Sequence, residues 1–371
     1  MEVKNGQSSQ IECLDLGCLH DGKKVTGYRM SLCNGMSVLI SDYGGAIWQL
    51  WTPGRNGELA DVVCGYDCAS DMENSDGYVG ALIGRWGNRI AKGHFTMDGT
   101  EYQLFSNDGS NHLHGGKIGF DRHFWQVIPT SGKQPSLQLS RLSPDGEEGY
   151  PGNLQIKVTY SLREVADGRG GELVLRYEAL TDKKTVLNLT NHAYFNLGGY
   201  DSGTVLDHVL QLDAVDYLET DRELIPTGRR IPVIGTPFDF TAPKALRAQF
   251  WPDYRCPDMQ IAGGYDHCLN FRDRKTGNTV VCRGFLWEPN SGRKMEMWTN
   301  QPCVQLYTAN FFKDNGICLK NGVHRLPQGA VCLETQRMPD SMNHMADNFT
   351  SPYLLPGEKY DYTTVYRFYV E

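Results

Sequence analysis

The sequence predicts an all-β protein, built as a sandwich or a barrel with little helix. Three observations support this prediction. Short runs of alternating apolar and polar residues recur along the chain, and the 41 glycines and 17 prolines are spread evenly between them. Convincing helical periodicity is almost absent. Many short strands with turn signals at close spacing are typical of β-sandwiches and barrels rather than of βαβ units.

The predicted strands follow from the local pattern. Residues 154–160, 172–178 and 295–298 alternate between apolar and polar side chains. Alternate side chains of a strand face opposite sides, so each run predicts a strand with one buried face. The link Asp167-Gly168-Arg169-Gly170-Gly171 lies between the first two runs, and its composition predicts a hairpin turn.

Helix is predicted in only two places. The best candidate is the short segment 243–250, and residues 67–74 are expected to form a single turn. No linker, charge block or internal repeat divides the sequence. We therefore expect one continuous β domain over residues 1–371.

Composition and charge exclude several classes of function. The chain has 36 basic and 44 acidic residues, a net charge of −8, and no basic stripe, so neither nucleic acid nor an anionic membrane is an expected partner. No apolar run reaches the length of about 18 residues that a membrane span needs. Residues 1–10 lack the apolar segment of a secretory signal. The 11 cysteines are scattered without zinc-site spacing, which predicts reduced thiols in a cytoplasmic protein.

The stretch 187–199 carries the first candidate for chemistry. It reads Leu-Asn-Leu-Thr-Asn-His-Ala-Tyr-Phe-Asn-Leu-Gly-Gly and predicts an alternating strand that ends in a glycine pair. On such a strand His192, Tyr194 and Asn196 share one face, while Phe195 points to the core. Two interpretations fit this pattern: a strand that crosses the floor of a small-molecule site, or a buried histidine satisfied by its asparagine neighbours.

Two glycine-rich clusters precede this stretch. Residues 84–93 lack a phosphate-loop pattern, and their Trp86 and Arg85 suit contact with sugar hydroxyls or, equally, a structural role for the arginine in pinning the loop. Residues 107–116 contain His112 and His114, which would share a face in an extended strand. A third metal ligand is missing nearby in the sequence, so a histidine that transfers protons or binds hydroxyl groups is preferred to a metal site.

Two carboxylates follow later in the chain. Asp266 lies in the segment 263–267 beside aromatic and histidine residues, where it either forms a turn or faces a ligand. Glu334 ends an otherwise apolar run over residues 330–334, where it is either exposed at the end of a strand or buried for a function. Burial raises the pKa of a carboxyl group, as a general base that works near neutrality requires. Nucleophile-elbow and cofactor motifs are missing, so the pattern favours acid–base chemistry on a polar, uncharged ligand.

These segments, in this order, resemble the aldose 1-epimerase family, the galactose mutarotases. The resemblance extends over nearly the whole chain. Its motifs are residues 84–93, 111–116, 143–152, 189–197, 264–267, 300–302, 305–311, 332–336, 339–340 and 355–357. The fold that it implies is a large antiparallel β-sandwich, the galactose mutarotase-like supersandwich, and the activity is interconversion of the α and β anomers of free hexoses, preferably galactose.

The resemblance also implies the site residues. Glu334 matches the general base that takes the proton of the C1 hydroxyl, and His192 matches the general acid that protonates the ring oxygen. The residues that it matches to sugar binding are Asn88, Arg89, His114, Asp266 and Gln301. Ring opening transfers no electrons and leaves no charge on the sugar, so the resemblance implies neither a metal nor a cofactor. Asn196, on the predicted face of His192, is a candidate to orient it.

Other functions stay open at the level of sequence. Asp266 and Glu334 could form the carboxylate pair of a glycoside hydrolase or lyase, which would release product from a disaccharide. A sugar-phosphate epimerase would need more cationic side chains than Arg85 and Arg89 in the matched loops. A non-catalytic sugar sensor is expected to lack Glu334 or His192, and both are present. The expected partner is a free monosaccharide, galactose or glucose, bound by a monomer or a weak dimer.

Overall fold

The computed structural model describes residues 11–165, 170–249, 256–273, 277–313 and 316–371. Strands make up most of the regular structure in these ranges, and the two α-helices found there, α1 and α2, have six residues each. The all-β prediction is confirmed. In the described ranges no helix is long and apolar enough to cross a membrane.

In the first half of the chain, the first five strands form one sheet, four later strands belong to the nine-stranded sheet described below, and the others form short pairs. Their bounds are β1 Glu12–Cys18, β2 Lys24–Ser31, β3 Ser37–Ser41, β4 Ile47–Pro53, β5 Leu59–Asp61, α1 Ala69–Asn74, β6 Leu82–Ile83, β7 Arg89–Ile90, β8 His94–Met97, β9 Thr100–Gln103, β10 His112–Leu113, β11 Gln126–Thr130, β12 Ser136–Ser143, β13 Leu154–Glu164, β14 Gly171–Thr181, β15 Thr185–Val186 and β16 Thr190–Asn191.

The second half of the chain supplies the remaining strands. Their bounds are β17 Val209–Leu212, β18 Ala214–Thr220, β19 Pro226–Pro232, β20 Lys244–Ala245, α2 Pro257–Ala262, β21 Asp266–Phe271, β22 Val281–Trp287, β23 Arg293–Thr299, β24 Cys303–Tyr307, β25 Cys332–Gln336, β26 Tyr353–Leu354 and β27 Tyr360–Val370.

The largest sheet has nine antiparallel strands in the order β11-β12-β13-β14-β27-β23-β22-β17-β20. Its central strands confirm the alternation read from the sequence: in β13, buried and solvent-facing residues alternate from Leu154 onward. Alternation of this kind gives each strand one face for the core and one for water. The main core cluster collects these inward side chains together with residues from Met30 to Phe368, so it draws on nearly the whole described chain.

The sheet that concerns function has five strands in the order β19-β18-β21-β24-β25. Every residue of β21, β24 and β25 is buried, because these strands are covered on both faces. A carboxylate on such a strand is withdrawn from water, which is costly unless it is paired or functional. Asp266 begins β21 and Glu334 is the middle residue of β25.

One predicted element differs from the structure, and another lies partly beyond the described residues. The helix expected over residues 243–250 is wrong: β20 pairs with β17, and a turn of 3₁₀ helix over residues 246–249 follows. Pairing across the sheet outweighs the weak helical preference of this short segment. Residues 167–169 of the predicted hairpin turn lie outside the described residues, although β13 and β14 pair directly up to Glu164 and Gly171 on either side. The turn near residues 67–74 is present as α1.

The stretch 187–199 is extended but is not one regular strand. Only β16 pairs as a strand, with β6, and Phe195 then forms single bridges to Val63 and Val331. The predicted faces hold in part. Phe195 packs in the core against Tyr366 and Phe368. Asn196, however, donates its amide to the carbonyl oxygens of residues 203 and 329 and not to His192, so the orienting role expected for it is wrong.

Candidate active site

A cavity of about 270 Å³ is lined by residues of β7, β10, β21, β24 and β25 and of the adjoining loops. Pockets for drug-sized ligands typically measure about 300–1,000 Å³, so this one suits a smaller molecule. The lining includes a glutamate, an aspartate, two histidines, an arginine and an asparagine, with aromatic rings around them. The lining residues are Asp76, Gly77, Tyr78, Asn88, Arg89, Leu113, His114, His192, Tyr194, Asp266, Tyr307, Phe311, Phe312, Lys313 and Glu334.

Glu334 is a buried carboxyl group with an oxygen free to react. Its side chain is 2% exposed, and Oε2 has no hydrogen-bond partner among the described residues. Burial raises the pKa of Glu334 well above its usual range; the charge of Asp266 raises it further, and that of Arg89 opposes the rise. A carboxylate in this setting is a stronger base than one in water.

His192 faces Glu334 across the cavity floor. Its Nε2 lies 3.7 Å from Oε1 of Glu334, and its ring stacks on Tyr194 with centroids 4.8 Å apart. Burial lowers the pKa of His192 to about 4. Burial disfavours the charged form of both side chains, which favours a neutral imidazole beside a protonated carboxyl group, with one proton for the pair.

Asp266 forms a second carboxylate with strong polar partners. Nε2 of Gln305 donates to its Oδ1 at 2.6 Å, and Nη1 of Arg89 lies 3.8 Å from its Oδ2. Burial raises the pKa of Asp266, while Arg89 and the Gln305 hydrogen bond oppose the rise. Arg89 is itself fixed by Asp108, which accepts a hydrogen bond from its Nε at 2.7 Å. The carboxylates of Asp266 and Asp108, the amide of Gln305 and the guanidinium of Arg89 thus lie together and form one polar wall.

His114 is held by the backbone of the neighbouring loop. Its Nδ1 accepts a hydrogen bond of 3.1 Å from the backbone N–H of Asn88, so the proton of the neutral ring sits on Nε2. Burial lowers the pKa of His114 well below its usual value, with further lowering from the charges of His192 and Arg89. His114 is therefore a fixed hydrogen-bond donor toward the cavity.

The residues named from the sequence divide into two groups. Glu334, His192, Asn88, Arg89, His114 and Asp266 line one cavity. Gln301 does not join them: it is buried elsewhere and donates its amide to the hydroxyl of Tyr360 at 3.2 Å. The amide at this wall is Gln305, which pairs with Glu334 across β24 and β25. The sequence signal that could have identified Gln305 is its position in the motif 305–311: it lies two residues before Tyr307, so both side chains share a face of one strand.

Several side chains singled out in the sequence have structural roles. Arg85 pins its loop by donating to the carbonyl oxygens of residues 143, 144 and 151, and Trp86 is fully buried in a satellite core. His112 does not share a face with His114, because His114 adopts a φ of 51° and leaves the strand. Its ring is bonded instead to Tyr150 and to the carbonyl oxygen of residue 105. His267 points to the other face of β21 and packs on Phe238.

Two histidines and a glutamate form a set with the spacing of metal ligands. One ligand atom from each of His114, His192 and Glu334 lies within 4.8 Å of the others. Metal-bound histidines usually donate their second ring N–H to an oxygen acceptor. His114 shows the opposite arrangement: its Nδ1 accepts from a backbone N–H, so Nε2 carries a proton rather than a free lone pair. The set does not fit a resident metal.

A larger cavity, of about 630 Å³, lies on the nine-stranded sheet near Arg141, Leu142, Leu180 and Lys359. Two of its cationic groups are already paired, Arg141 with Glu147 at 2.7 Å and Lys359 with Glu178 at 2.5 Å. Its lining includes His123, whose Nε2 lies 3.6 Å from Oε1 of Glu147, but that carboxylate is already paired with Arg141. In the smaller cavity, by contrast, Oε2 of Glu334 has no hydrogen-bond partner among the described residues. Chemistry, and not volume, therefore identifies the candidate active site.

Comparisons with known proteins agree with this site and fold. The family model for aldose 1-epimerase matches residues 28–367. The chain is 42% identical over 337 residues to a galactose mutarotase from Mus musculus, with 90% of this chain and 92% of the relative covered. It is 33% identical over 337 residues to an aldose 1-epimerase from Escherichia coli (strain K12), with 91% and 93% covered. A crystal structure of an aldose epimerase homologue from C. elegans superposes with a TM-score of 0.82 at 28% identity, covering 93% of this chain and 99% of that one.

The fold and these relatives define the class of the protein, which is a carbohydrate epimerase built on an antiparallel β-sandwich. The match reaches from β2 to β27 and so includes every strand that lines the cavity. The chain belongs to the aldose 1-epimerase family. The resemblance seen in the collinear sequence motifs is thereby confirmed, and an epimerase is favoured over the hydrolase and sensor alternatives.

Proposed function

We propose that this protein is a mutarotase that interconverts the α and β anomers of free hexoses, galactose foremost, by acid–base opening and closing of the ring. One observation carries the proposal: a buried glutamate, Glu334, has a free carboxyl oxygen and faces Nε2 of His192 at 3.7 Å inside a cavity sized for a small molecule. Ring opening needs a base and an acid at once, on two oxygens bonded to the same carbon.

The mechanism uses the single proton that the pair holds. In the reactive form the proton lies on His192 and Glu334 is ionised. Glu334 takes the proton of the C1 hydroxyl while Nε2 of His192 gives its proton to the ring oxygen, and the bond between C1 and the ring oxygen breaks. The products are an open-chain aldehyde, a protonated glutamate and a neutral histidine. Rotation about C1–C2 presents the other aldehyde face, and the same two transfers run backwards to close the ring.

The polar wall supplies recognition of the sugar hydroxyls. We assign this role to Asn88, Arg89, His114, Asp266 and, in place of Gln301, Gln305. Arg89 and Asp266 are both largely fixed before the sugar arrives, by Asp108 and Gln305 respectively. A site of this kind discriminates against analogues that lack a hydroxyl, because its buried polar groups are then left unpaired. The chemistry moves protons only, so it requires neither a metal nor a cofactor.

The preference for galactose rests on the names of the relatives, galactose mutarotase among them. The experiment that tests it is a comparison of kcat/KM for α-galactose and α-glucose by polarimetry. We expect the larger value for galactose. A larger value for glucose would contradict the assigned preference and leave the reaction itself intact.

The reaction is tested by polarimetry of freshly dissolved α-galactose with wild-type protein, Glu334→Ala and His192→Ala. The wild type should speed the drift in optical rotation above that of buffer, and both variants should lose most of this effect. His20→Ala is the matched control, since His20 is exposed and bonded to Glu73. If the wild type leaves the drift at the buffer rate, the mutarotase proposal fails; if His192→Ala stays fully active, the role of the acid is wrongly assigned.

We further propose a cytoplasmic protein that forms one domain over residues 1–371 and exists as a monomer or weak dimer. The 11 cysteines all lie in the described ranges and form no disulfide there, which is typical of proteins from reducing compartments. Light scattering after size-exclusion chromatography, in the presence of reductant, measures the oligomeric state. A stable tetramer would contradict the proposal.

A further inference from the structure

A buried thiol lies at the back of the histidine in the candidate active site. Sγ of Cys332 is 3.5 Å from Nδ1 of His192, on the side of the ring opposite the contact between Nε2 and Glu334. Cys332 and Glu334 are two residues apart on β25, so the pleat aims both side chains at the same imidazole. The strand β25 therefore carries both the proposed base, Glu334, and the partner of Nδ1 of His192, Cys332.

We propose that Cys332 is a positioning residue whose sulfur accepts a hydrogen bond from Nδ1–H of His192 and thereby reserves Nε2 for proton transfer. This inference deepens the proposed function and rests on it. Nε2 is the nitrogen that faces Glu334 and the cavity, so it must lose and regain a proton in each cycle. The neutral ring left after the transfer must then carry its proton on Nδ1, and a buried N–H needs an acceptor.

The chemistry of a thiol suits this position. Burial raises the pKa of Cys332 well above its usual value, so the group stays a neutral thiol. A thiolate at this distance would form an ion pair with the imidazolium and hold the proton that His192 must give away. A neutral sulfur is a weak acceptor. It orients the ring without stabilising the imidazolium strongly, so protonated His192 remains a strong acid.

The second histidine of the cavity provides a contrast within the same structure. His114 has a donor at Nδ1, the backbone N–H of Asn88, and is fixed with its proton on Nε2. His192 has a sulfur at Nδ1, which can accept. The groups behind the two rings thus assign opposite tautomers: His114 always donates toward the cavity, while His192 can both receive and release a proton. Stacking on Tyr194 fixes the plane of the His192 ring, and Cys332 decides which nitrogen carries the proton.

The first test is the tautomer of His192 in the wild-type protein, read from long-range ¹H–¹⁵N imidazole spectra at neutral pH without sugar. We expect the pattern of a neutral ring protonated on Nδ1. In Cys332→Ala the same signals should shift toward a mixture of tautomers. A wild-type His192 protonated on Nε2 overturns the inference, and this measurement needs no variant and no catalytic activity.

The second test separates kcat from KM. A neutral hydrogen bond contributes about a factor of 3 to 10, so Cys332→Ala should lower kcat by roughly that factor with KM for galactose changed less than about twofold. Cys332→Ser, which restores an acceptor, should recover kcat to within about threefold of wild type. Cys303→Ala is the matched control, because Cys303 is an equally buried thiol on β24 that contacts the carbonyl oxygen of residue 336. We expect wild-type kcat for that control.

The outcomes distinguish the inference from the function on which it rests. An inactive wild-type protein contradicts the mutarotase proposal, whatever the spectra show. An active wild type whose kcat and His192 signals are the same in Cys332→Ala overturns the role of Cys332 alone. An equal loss of kcat in Cys332→Ala and Cys303→Ala, with unchanged His192 signals, also overturns it, because the loss then reflects packing.

Discussion

Replacement of Glu334 by glutamine tests the central feature of the proposed mechanism, a general base at a buried carboxyl group. Glutamine keeps the size of the side chain and removes its charge. General-base catalysis contributes about 10²- to 10⁴-fold, so we expect kcat for mutarotation to fall by that range. The same change should stabilise the protein at neutral pH, since Oε2 of Glu334 has no hydrogen-bond partner among the described residues.

The direction of the stabilisation follows from the raised pKa, and its size follows from the cost of burying a polar group without a hydrogen-bond partner. Glu334 has an ordinary pKa of 4.5 when unfolded and a higher one when folded. Below pH 4.5 Glu334 is protonated in both the folded and the unfolded state, so it does not lower the free energy of unfolding. As the pH rises toward the folded-state pKa, the unfolded state gains the advantage of ionising, and stability is lost at up to about 1.4 kcal/mol per pH unit. Glutamine does not ionise and so does not lose stability in this way. We therefore expect the free energy of unfolding of Glu334→Gln to exceed that of the wild type by about 1–3 kcal/mol at pH 7.

The assay is urea or thermal unfolding of both proteins between pH 4 and pH 8. The midpoints should coincide near pH 4 and separate as the pH rises, with the variant a few degrees higher at neutrality. His192 titrates in both proteins, so its contribution largely cancels in the difference. Glu101→Gln, at an exposed position, is the control and should show no separation. A Glu334→Gln variant equal to or less stable than wild type at pH 7 would refute the idea of an uncompensated base.

Three further predictions concern the same site. Gln305→Ala should raise KM for galactose roughly tenfold in steady-state polarimetry, because Asp266 loses its amide donor. Gln301→Ala should leave KM unchanged and lower the free energy of unfolding in urea by about 1 kcal/mol, because only the hydrogen bond to Tyr360 is lost. As the pH is lowered, kcat/KM should fall near pH 4, because protonation of His192 gives the pair of His192 and Glu334 a second proton and leaves no base. A pH–rate profile in which kcat/KM does not fall at low pH contradicts the one-proton mechanism. Prolonged dialysis against EDTA should leave activity unchanged, and an activity that returns only when Zn²⁺ is added back would show that His114 does ligate a metal.

The sequence alone predicted the fold class, the family and most residues of the candidate site. Alternation over residues 154–160 and 172–178 predicted β13 and β14, because the period of two in a pleated strand depends only on which side chains are apolar. The collinear motifs predicted the family. They also named Glu334 and His192, since a lone glutamate in an apolar strand and a histidine among amides are visible without coordinates.

Only the tertiary structure decided which of these residues meet. Gln305 and not Gln301 adjoins Asp266, because the register of β21 against β24 pairs Asp266 with Tyr307, two residues from Gln305. The register of β24 against β25 places the same Gln305 opposite Glu334. His112 and His114 separate because a positive φ at His114 turns the second ring into the cavity. Register and such backbone angles depend on packing between strands that are far apart in the chain, and no local pattern encodes that packing. The same packing placed Cys332, to which the motif 332–336 assigned no role, behind the imidazole of His192.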